Sequence, residues 1–412
     1  MKSNSYWAIA DQGIASAGNF ATTLLLARAL PPAEFGTFVL LNSACVVVLG
    51  FQGSLVVSPL VVLGASAPAA RTKSYLTAAS IFTVILSPIS ALVVIAAAAS
   101  LHRMETGALA LFFALSWQLQ ETSRRALISG FRYRDAIWGD AISYLGQALL
   151  VGFLYLNKQT SLDRAYALMA VTSLVAVVLQ SWQVKLSRFT WNELRTCGMQ
   201  FWSLGKWLAV ASLMSVVAGP MLPWLLNWFH GREAAAAFQA AMNVVGLANP
   251  IILSVPGVVM PAVANYSVGS SAPAQRSALE IGMKYTLQFV LILCPLLVFL
   301  AIWPHAALAV FYGRSSFYST QALALRIGVI VYLFTIPMTV LGAVLTGIQR
   351  TKGNASMNGI GTLVSLLTAP PLVYFGGVAG AMLAEVASRG ARAVWALKLL
   401  RLKPAARRVE PS

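Results

Sequence analysis

The chain has 412 residues, of which 58% are hydrophobic and only 10% charged, with a formal net charge of +17. No soluble core needs so much apolar material, so the composition excludes an ordinary globular enzyme and indicates a membrane protein. The positive charge does not indicate a nucleic-acid-binding protein, because basic loops of a membrane protein face anionic lipid headgroups.

Apolar stretches long enough to cross a bilayer follow one another from end to end. Each is expected to be a helix, because hydrocarbon leaves the backbone no other hydrogen-bond partners. The predicted fold class is an all-α polytopic membrane protein of about twelve transmembrane helices, at roughly 7–30, 36–64, 75–100, 107–129, 136–156, 164–184, 202–228, 234–260, 281–303, 322–347, 354–375 and 377–398.

Lysine and arginine lie almost wholly in alternate loops between these stretches. Positive charge resists translocation, so this asymmetry predicts that both termini are cytoplasmic. The exceptions on the predicted outer side are few: Arg103, Lys158, Arg164, Arg232 and Arg314, together with Arg28 and Arg326 near the outer ends of their spans. For Arg28, either the helix bends toward the face of Gln12 or the side chain extends its head to the outer interface, and extension to the interface is equally open to Arg326.

Polar residues within the spans are the next signal. In span one, Gln12, Ser16, Asn19 and Thr23 recur at helical spacing, so they share one face. A polar face in a membrane points to protein or water. Amides such as these, or Asn243 in span eight, also join helices without any further role, and both interpretations stay open.

Prolines in the spans predict bending elements, because proline removes a backbone hydrogen bond. The candidate hinges are Pro59 in span two, Pro220 in span seven and Pro250 in span eight.

Charged residues in spans one, four and five are candidates for ligand binding or for structural ion pairs. Asp11 and Asp140 are the carboxylates expected inside the bilayer. Glu121 lies three and four residues before Arg124 and Arg125, so a local pair is expected to neutralise one arginine but not both. In the last span, Glu385 and Arg389 are interpreted as another local pair.

The predicted organisation is two six-span lobes. We assign residues 1–184 to the N-terminal lobe, 185–201 to an amphipathic cytoplasmic linker, 202–398 to the C-terminal lobe and 399–412 to a basic cytoplasmic tail. Similar loop sequences after spans four and ten support a parallel repeat, which transporters commonly use.

Nothing in the sequence suggests catalysis. His102, His230 and His305 are isolated from any acid or serine, and the three cysteines match neither a disulfide framework nor a metal site. No phosphate-binding glycine loop is seen. The chain is predicted not to be an enzyme and to need no cofactor or metal.

The first two spans resemble a known family. The segment ADQGIASAGNF, from Ala10 to Phe20, and the segment LARALPPAEFG, from Leu26 to Gly36, are similar to polysaccharide transporters. These are Wzx-type lipid-linked oligosaccharide flippases of the multidrug/oligosaccharidyl-lipid/polysaccharide exporter superfamily. Ser58-Pro59 resembles the end of their second span.

The resemblance implies a pair of six-helix lobes around a central cavity, alternating access, and a polyprenyl-diphosphate-linked oligosaccharide as cargo. It further implies the bacterial inner membrane, surface polysaccharide synthesis, and a polysaccharide polymerase and chain-length regulator as partners. No nucleic acid is expected. The alternatives are a cation-coupled multidrug exporter, which needs buried carboxylates such as Asp11 and Asp140, and a glycan polymerase or ligase, which needs a long outer loop with clustered catalytic groups.

A diphosphate lipid carries about two negative charges that a desolvated site must compensate. The expected substrate-binding residues are Gln12, Asn19, Arg28, Arg124, Arg125, Lys206, Asn243 and Arg326. Asp11 and Asp140 are the candidates for ion coupling, although the membrane potential alone would supply about 2.3 kcal/mol per charge per 100 mV.

Overall fold

The computed structural model describes residues 2–66, 69–130, 132–184, 190–269, 274–348 and 350–401, and within these ranges all regular structure is helical. The first half contains α1 (Lys2–Ala29), α2 (Pro32–Gln52), α3 (Ser58–Ser66), α4 (Ala69–Ile85), α5 (Ser87–Ser100), α6 (Met104–Ser129), α7 (Tyr133–Asp140), α8 (Gln147–Leu156) and α9 (Leu162–Val184). The second half contains α10 (Trp191–His230), α11 (Arg232–Val245), α12 (Asn249–Gly269), α13 (Ala274–Ile302), α14 (Pro304–Tyr312), α15 (Ala322–Gly347) and α16 (Thr351–Arg401).

All twelve predicted spans lie on these helices, and the chain is a multi-pass, all-α membrane protein. Eight of its helical segments are individually long and apolar enough to cross a bilayer. The predicted boundary between the last two spans is also present, since α16 reverses at Gly377, where φ is 51°. Only glycine adopts a positive φ at low cost, which explains the glycine at position 377.

Two connections contain regular structure. Residues 304–321 include α14 and a 3₁₀ turn, Phe317–Thr320. Of the linker assigned at 185–201, residues 191–201 form the first part of α10, which continues without a break into span seven. The side chains of Thr190 and Glu193 form a capping box at the start of this helix. From there α10 continues to His230. Residues 185–189 of the linker and 402–412 of the tail lie outside the described residues.

The candidate hinges occupy different local structures. A π-helical turn, Gly53–Val57, precedes Pro59, and the N–H of Ser58 reaches back to the carbonyl oxygen of Gly53. A 3₁₀ turn, Gly246–Ala248, precedes Pro250. Pro220 lies inside α10, which stays helical around it. Bending at these three sites remains a prediction.

By internal contacts the chain divides into two units. The N-terminal unit comprises Met1–Asn243 with Phe311–Tyr318, and the C-terminal unit comprises Val244–Val310 with Ser319–Ser412. In the N-terminal unit α1 packs against α7 and α8, while α6 packs against α9; in the C-terminal unit α15 packs against α12, α13 and α16. The segment 311–318 belongs to the N-terminal unit because its rings contact α1 and α2: Phe311 meets Phe20 at 5.6 Å and Tyr318 meets Phe35 at 6.0 Å between centroids.

Candidate functional site: a charged cluster and a neutral cavity in the N-terminal unit

A buried charge cluster joins three helices of the N-terminal unit. The guanidinium of Arg124, in α6, donates to Oδ2 of Asp11 in α1 at 2.6 Å and to Oδ2 of Asp140 at the end of α7. The exposed fractions of these side chains are 8%, 4% and 0%, so the three charges have left water together. Charges buried in this way are tolerated only when they neutralise one another.

Glu121 completes the cluster. The expectation that it pairs with only one of the two neighbouring arginines is wrong. One of its carboxylate oxygens contacts Arg124 at 3.4 Å and the other contacts Arg125 at 2.5 Å, so a single glutamate serves both arginines. Arg125 remains 43% exposed. The cluster therefore contains three carboxylates and two guanidiniums, which leaves one negative charge in excess.

A π-helical turn, Ala141–Gly146, directly follows Asp140 and sets the direction of the next side chains. Such turns add one residue to a helical turn and often occur at functional sites. No proline marks this turn in the sequence, so sequence reasoning missed it. Its residues Ser143 and Tyr144 line a cavity in the interior of the N-terminal unit.

This cavity has a volume of about 230 Å³ and is lined by Asn19, Thr22, Thr23, Phe38, Asn42, Val46, Phe113, Trp117, Ser143, Tyr144, Gln147, Met169 and Ser173. Among the described residues that line it, none is charged. Three amides and several hydroxyls offer donors and acceptors, while Trp117 stacks on Phe113 with 5.3 Å between centroids and donates to the hydroxyl of Tyr144 at 3.3 Å. We call it the neutral cavity.

The predicted polar face of span one enters this cavity only in part. Asn19 and Thr23 line it, whereas Gln12 donates to Ser16 at 3.4 Å outside the cavity wall. Asn42, Trp117 and the residues of the π turn were not among the predicted ligands. Asn42 stands in span two, and its polarity within an apolar run was the signal that could have identified it.

Two predicted ligand arginines instead contact the ends of neighbouring helices. Arg28 donates to the carbonyl oxygen of Phe311 in the last turn of α14, and Arg326 donates to that of Ala301 at the end of α13, at 3.1 Å. Arg232 does the same at the end of α5, where it reaches the carbonyl oxygen of Leu101 at 2.8 Å. Cations favour helix C-termini because the last carbonyls lack internal partners and carry negative partial charge.

The remaining predicted ligands, Lys206 and Asn243, belong neither to the charge cluster nor to the lining of the neutral cavity. Lys206 is half-buried in α10, and Asn243 is half-buried at the end of α11, where its side-chain nitrogen has no hydrogen-bond partner among the described residues. The structure thus brings Asp11, Asp140, Arg124 and Arg125 together, and does not join them to the other predicted residues.

Comparisons with known proteins identify the fold of the chain but not its family. No protein-family model matches the chain, and no curated protein matches it by sequence. Among solved structures, an inward-facing multidrug resistance MATE family transporter of the MOP superfamily matches with a TM-score of 0.75 and 13% identity, covering 94% of each chain. The lipid II flippase MurJ, in an inward closed conformation, matches with a TM-score of 0.65 and 12% identity over 98% of this chain and 88% of that one.

A third match is a MOP superfamily transporter from Pyrococcus furiosus, whose binding pocket is described as having reverse polarity that suggests a different function. Its TM-score is 0.62 at 14% identity, over 96% of this chain and 94% of that one. The chain therefore has the fold of MOP superfamily transporters. These neighbours are transporters and flippases rather than enzymes.

Proposed function

We propose that this protein flips a polyprenyl-diphosphate-linked oligosaccharide from the cytoplasmic to the outer leaflet of the bacterial inner membrane, for surface polysaccharide synthesis. The Wzx-type resemblance of the first two spans and the shared fold with a lipid II flippase both support this cargo class. A polysaccharide polymerase and a chain-length regulator are its proposed partners. Both termini are proposed to be cytoplasmic.

One observation favours the flippase over a cation-coupled drug exporter. A cationic substrate needs an unpaired buried carboxylate, and Asp11 and Asp140 were the sequence's candidates for that role. Both are bound to Arg124, and neither lines the neutral cavity. A cationic drug entering this cavity would meet amides and hydroxyls instead of a charge.

The lining of the neutral cavity suits a sugar. Asn19, Asn42 and Gln147 can exchange hydrogen bonds with hydroxyl groups, and Trp117 offers an apolar ring face beside them. A volume of about 230 Å³ is below the roughly 300–1,000 Å³ of pockets for drug-sized ligands. The cavity would therefore hold one sugar unit of the cargo, not the whole oligosaccharide.

The charged cluster is the proposed coupling element. Its excess carboxylate would be relieved by one bound proton, since an unpaired buried charge is costly. We propose that the Asp11 and Asp140 pair holds this proton in one conformation and releases it in another. Loss of the proton would loosen the contact of α1 with α7.

Transport by the purified full-length protein in liposomes tests the function. A polyprenyl-diphosphate oligosaccharide with a fluorophore on its glycan should become accessible to a membrane-impermeant reductant at least about tenfold faster than in protein-free liposomes. A fluorescent organic cation should not cross the membrane of the same liposomes. Movement of the cation without movement of the lipid-linked glycan would establish the drug exporter instead.

The proposed orientation is tested separately with reporter fusions. An enzyme reporter that is active only outside the cytoplasm should be active when fused after Gln159, Gly231 or Gly313, and inactive after Gly130 or Thr190. These positions lie between helices, so the fusions leave each span whole. Activity at the second pair of positions would reverse the topology and with it the proposed cytoplasmic placement of both termini.

A further inference from the structure

A second charged cluster lies in the C-terminal unit, after the Gly377 turn of α16. Glu385, Arg389 and Arg392 are separated by four and three residues, so they share one face of the helix. They belong to the long apolar segment Lys352–Arg401. Ionisable residues inside a membrane segment face protein or water and commonly mark a substrate path.

Arg389 is fixed in place by three groups. Its Nε donates to Glu385 at 2.7 Å, its Nη1 donates to the hydroxyl of Thr335 at 2.6 Å, and its guanidinium carbon lies 5.9 Å from the ring centre of Tyr332. Tyr332 in turn donates to the side chain of Asn249 at 2.5 Å. The positive charge of Arg389 is therefore held at a defined position between α15 and α16.

Arg392 lacks such neutralisation. It lies near enough to Glu385 and Arg389 to interact with both charges, but the carboxylate of Glu385 is already bound by Arg389. Within the described part of the chain, its buried Nε has no hydrogen-bond partner. One carboxylate faces two guanidiniums here, so this cluster has an excess positive charge.

Gly361 makes room for this side chain. A Cβ added at Gly361 would lie 2.0 Å from Nε of Arg392 and 2.3 Å from its Cγ, so the arginine lies directly on the backbone of the first half of α16. Any larger residue would push it away. Two residues earlier, a Cβ at Gly359 would meet nothing within 4 Å.

We propose that Arg392, with the charge of Arg389 beside it, binds the diphosphate group of the lipid-linked cargo. The sequence predicted Arg124, Arg125 and Lys206 among the substrate-binding residues, but Arg124 is buried among three carboxylates. Arg392, by contrast, belongs to a cluster with an excess positive charge, and its Nε has no hydrogen-bond partner among the described residues. A guanidinium recognises phosphate oxygens through paired, charge-assisted hydrogen bonds. This inference rests on the proposed function and assigns the headgroup to the C-terminal unit.

The test measures binding of a glycan-free polyprenyl diphosphate to the purified full-length protein in detergent. Arg392→Gln should weaken the affinity about tenfold or more, the loss expected when a charge-assisted hydrogen bond is removed. Arg392→Lys should fall between Arg392→Gln and the wild type, because it keeps the charge without the paired donors. Arg401→Gln, at the exposed end of the same helix, should stay within about twofold of the wild type.

A glycine pair supplies an independent test in which no charge changes. Gly361→Ala should displace Arg392 and weaken the same binding, whereas Gly359→Ala should leave it within about twofold of the wild type. If Gly361→Ala does not fold, the comparison of the Arg392 variants decides. Unchanged binding in Arg392→Gln would overturn the site, while the transport assay would still report on the proposed function.

Two competitors distinguish the sources of the diphosphate. Inorganic pyrophosphate should displace the probe only at much higher concentration, and detergent-solubilised phosphatidylglycerol should not displace it. Equal potency of pyrophosphate would assign the site to a free anion, and displacement by phosphatidylglycerol would assign it to bulk anionic lipid; either result overturns the cargo assignment. A wild-type protein that neither binds the probe nor flips the lipid-linked glycan would overturn the proposed function itself.

Discussion

Replacing Arg124 by glutamine is expected to cost the protein about 3–5 kcal/mol of folding free energy, because it leaves Asp11 and Asp140 buried without a cation. The variant should therefore unfold at a markedly lower temperature in detergent, as measured by intrinsic tryptophan fluorescence. Arg125→Gln is the matched control, since this neighbouring arginine is 43% exposed and should lose at most about 1 kcal/mol.

A rescue variant identifies the cause of that loss. Asp11→Asn and Asp140→Asn added to Arg124→Gln remove the orphaned charges and should restore most of the stability, because neutral groups can replace a buried ion network. If the triple variant remains as unstable as Arg124→Gln alone, the loss comes from packing and not from charge. A restored triple variant that no longer flips cargo would support the coupling role of the two carboxylates.

Asn19→Leu is expected to slow flipping of the lipid-linked glycan by about tenfold or more, because sugar hydroxyls in the neutral cavity would lose a partner while the branched shape of the side chain is kept. Gln12→Leu is the matched control on the same helix, and it should remain within about twofold of the wild type since Gln12 does not line the cavity. The rates come from the liposome assay, with protein amounts equalised. Equal defects in both variants would mean that Gln12 contacts the cargo as well as Asn19, which is what the sequence predicted for these two residues.

Most of the helical architecture could be predicted from the sequence because its signal is local. A run of about 20 apolar residues defines a span without knowledge of its neighbours, and even the Gly376-Gly377 boundary within α16 is local. The site was less predictable because its pairings join distant segments. Asp11 and Arg124 are 113 residues apart, and nothing in either local sequence specifies that they meet.

Local spacing was even misleading around Glu121. It predicts that one arginine is left unpaired, whereas Asp11 and Asp140 bring a second and a third carboxylate to Arg124 from other helices. The arginine that does retain an unsatisfied nitrogen is Arg392, whose position depends on a glycine 31 residues earlier in the chain. The close approach of Arg392 to Gly361 is seen only when the two halves of α16 are packed together.

The contact between Arg28 and the last turn of α14 has a consequence for biosynthesis. The two residues are 283 positions apart, so at about 5–20 residues per second the ribosome needs roughly 15–60 s to supply the carbonyl group after the arginine. During that interval α1 is already in the bilayer without this partner. The guanidinium must then stay hydrated at the lipid–water boundary, which its long side chain permits from this position near the end of the helix. The nascent first helix therefore has to be stable while water, and not the carbonyl group of Phe311, solvates the guanidinium of Arg28.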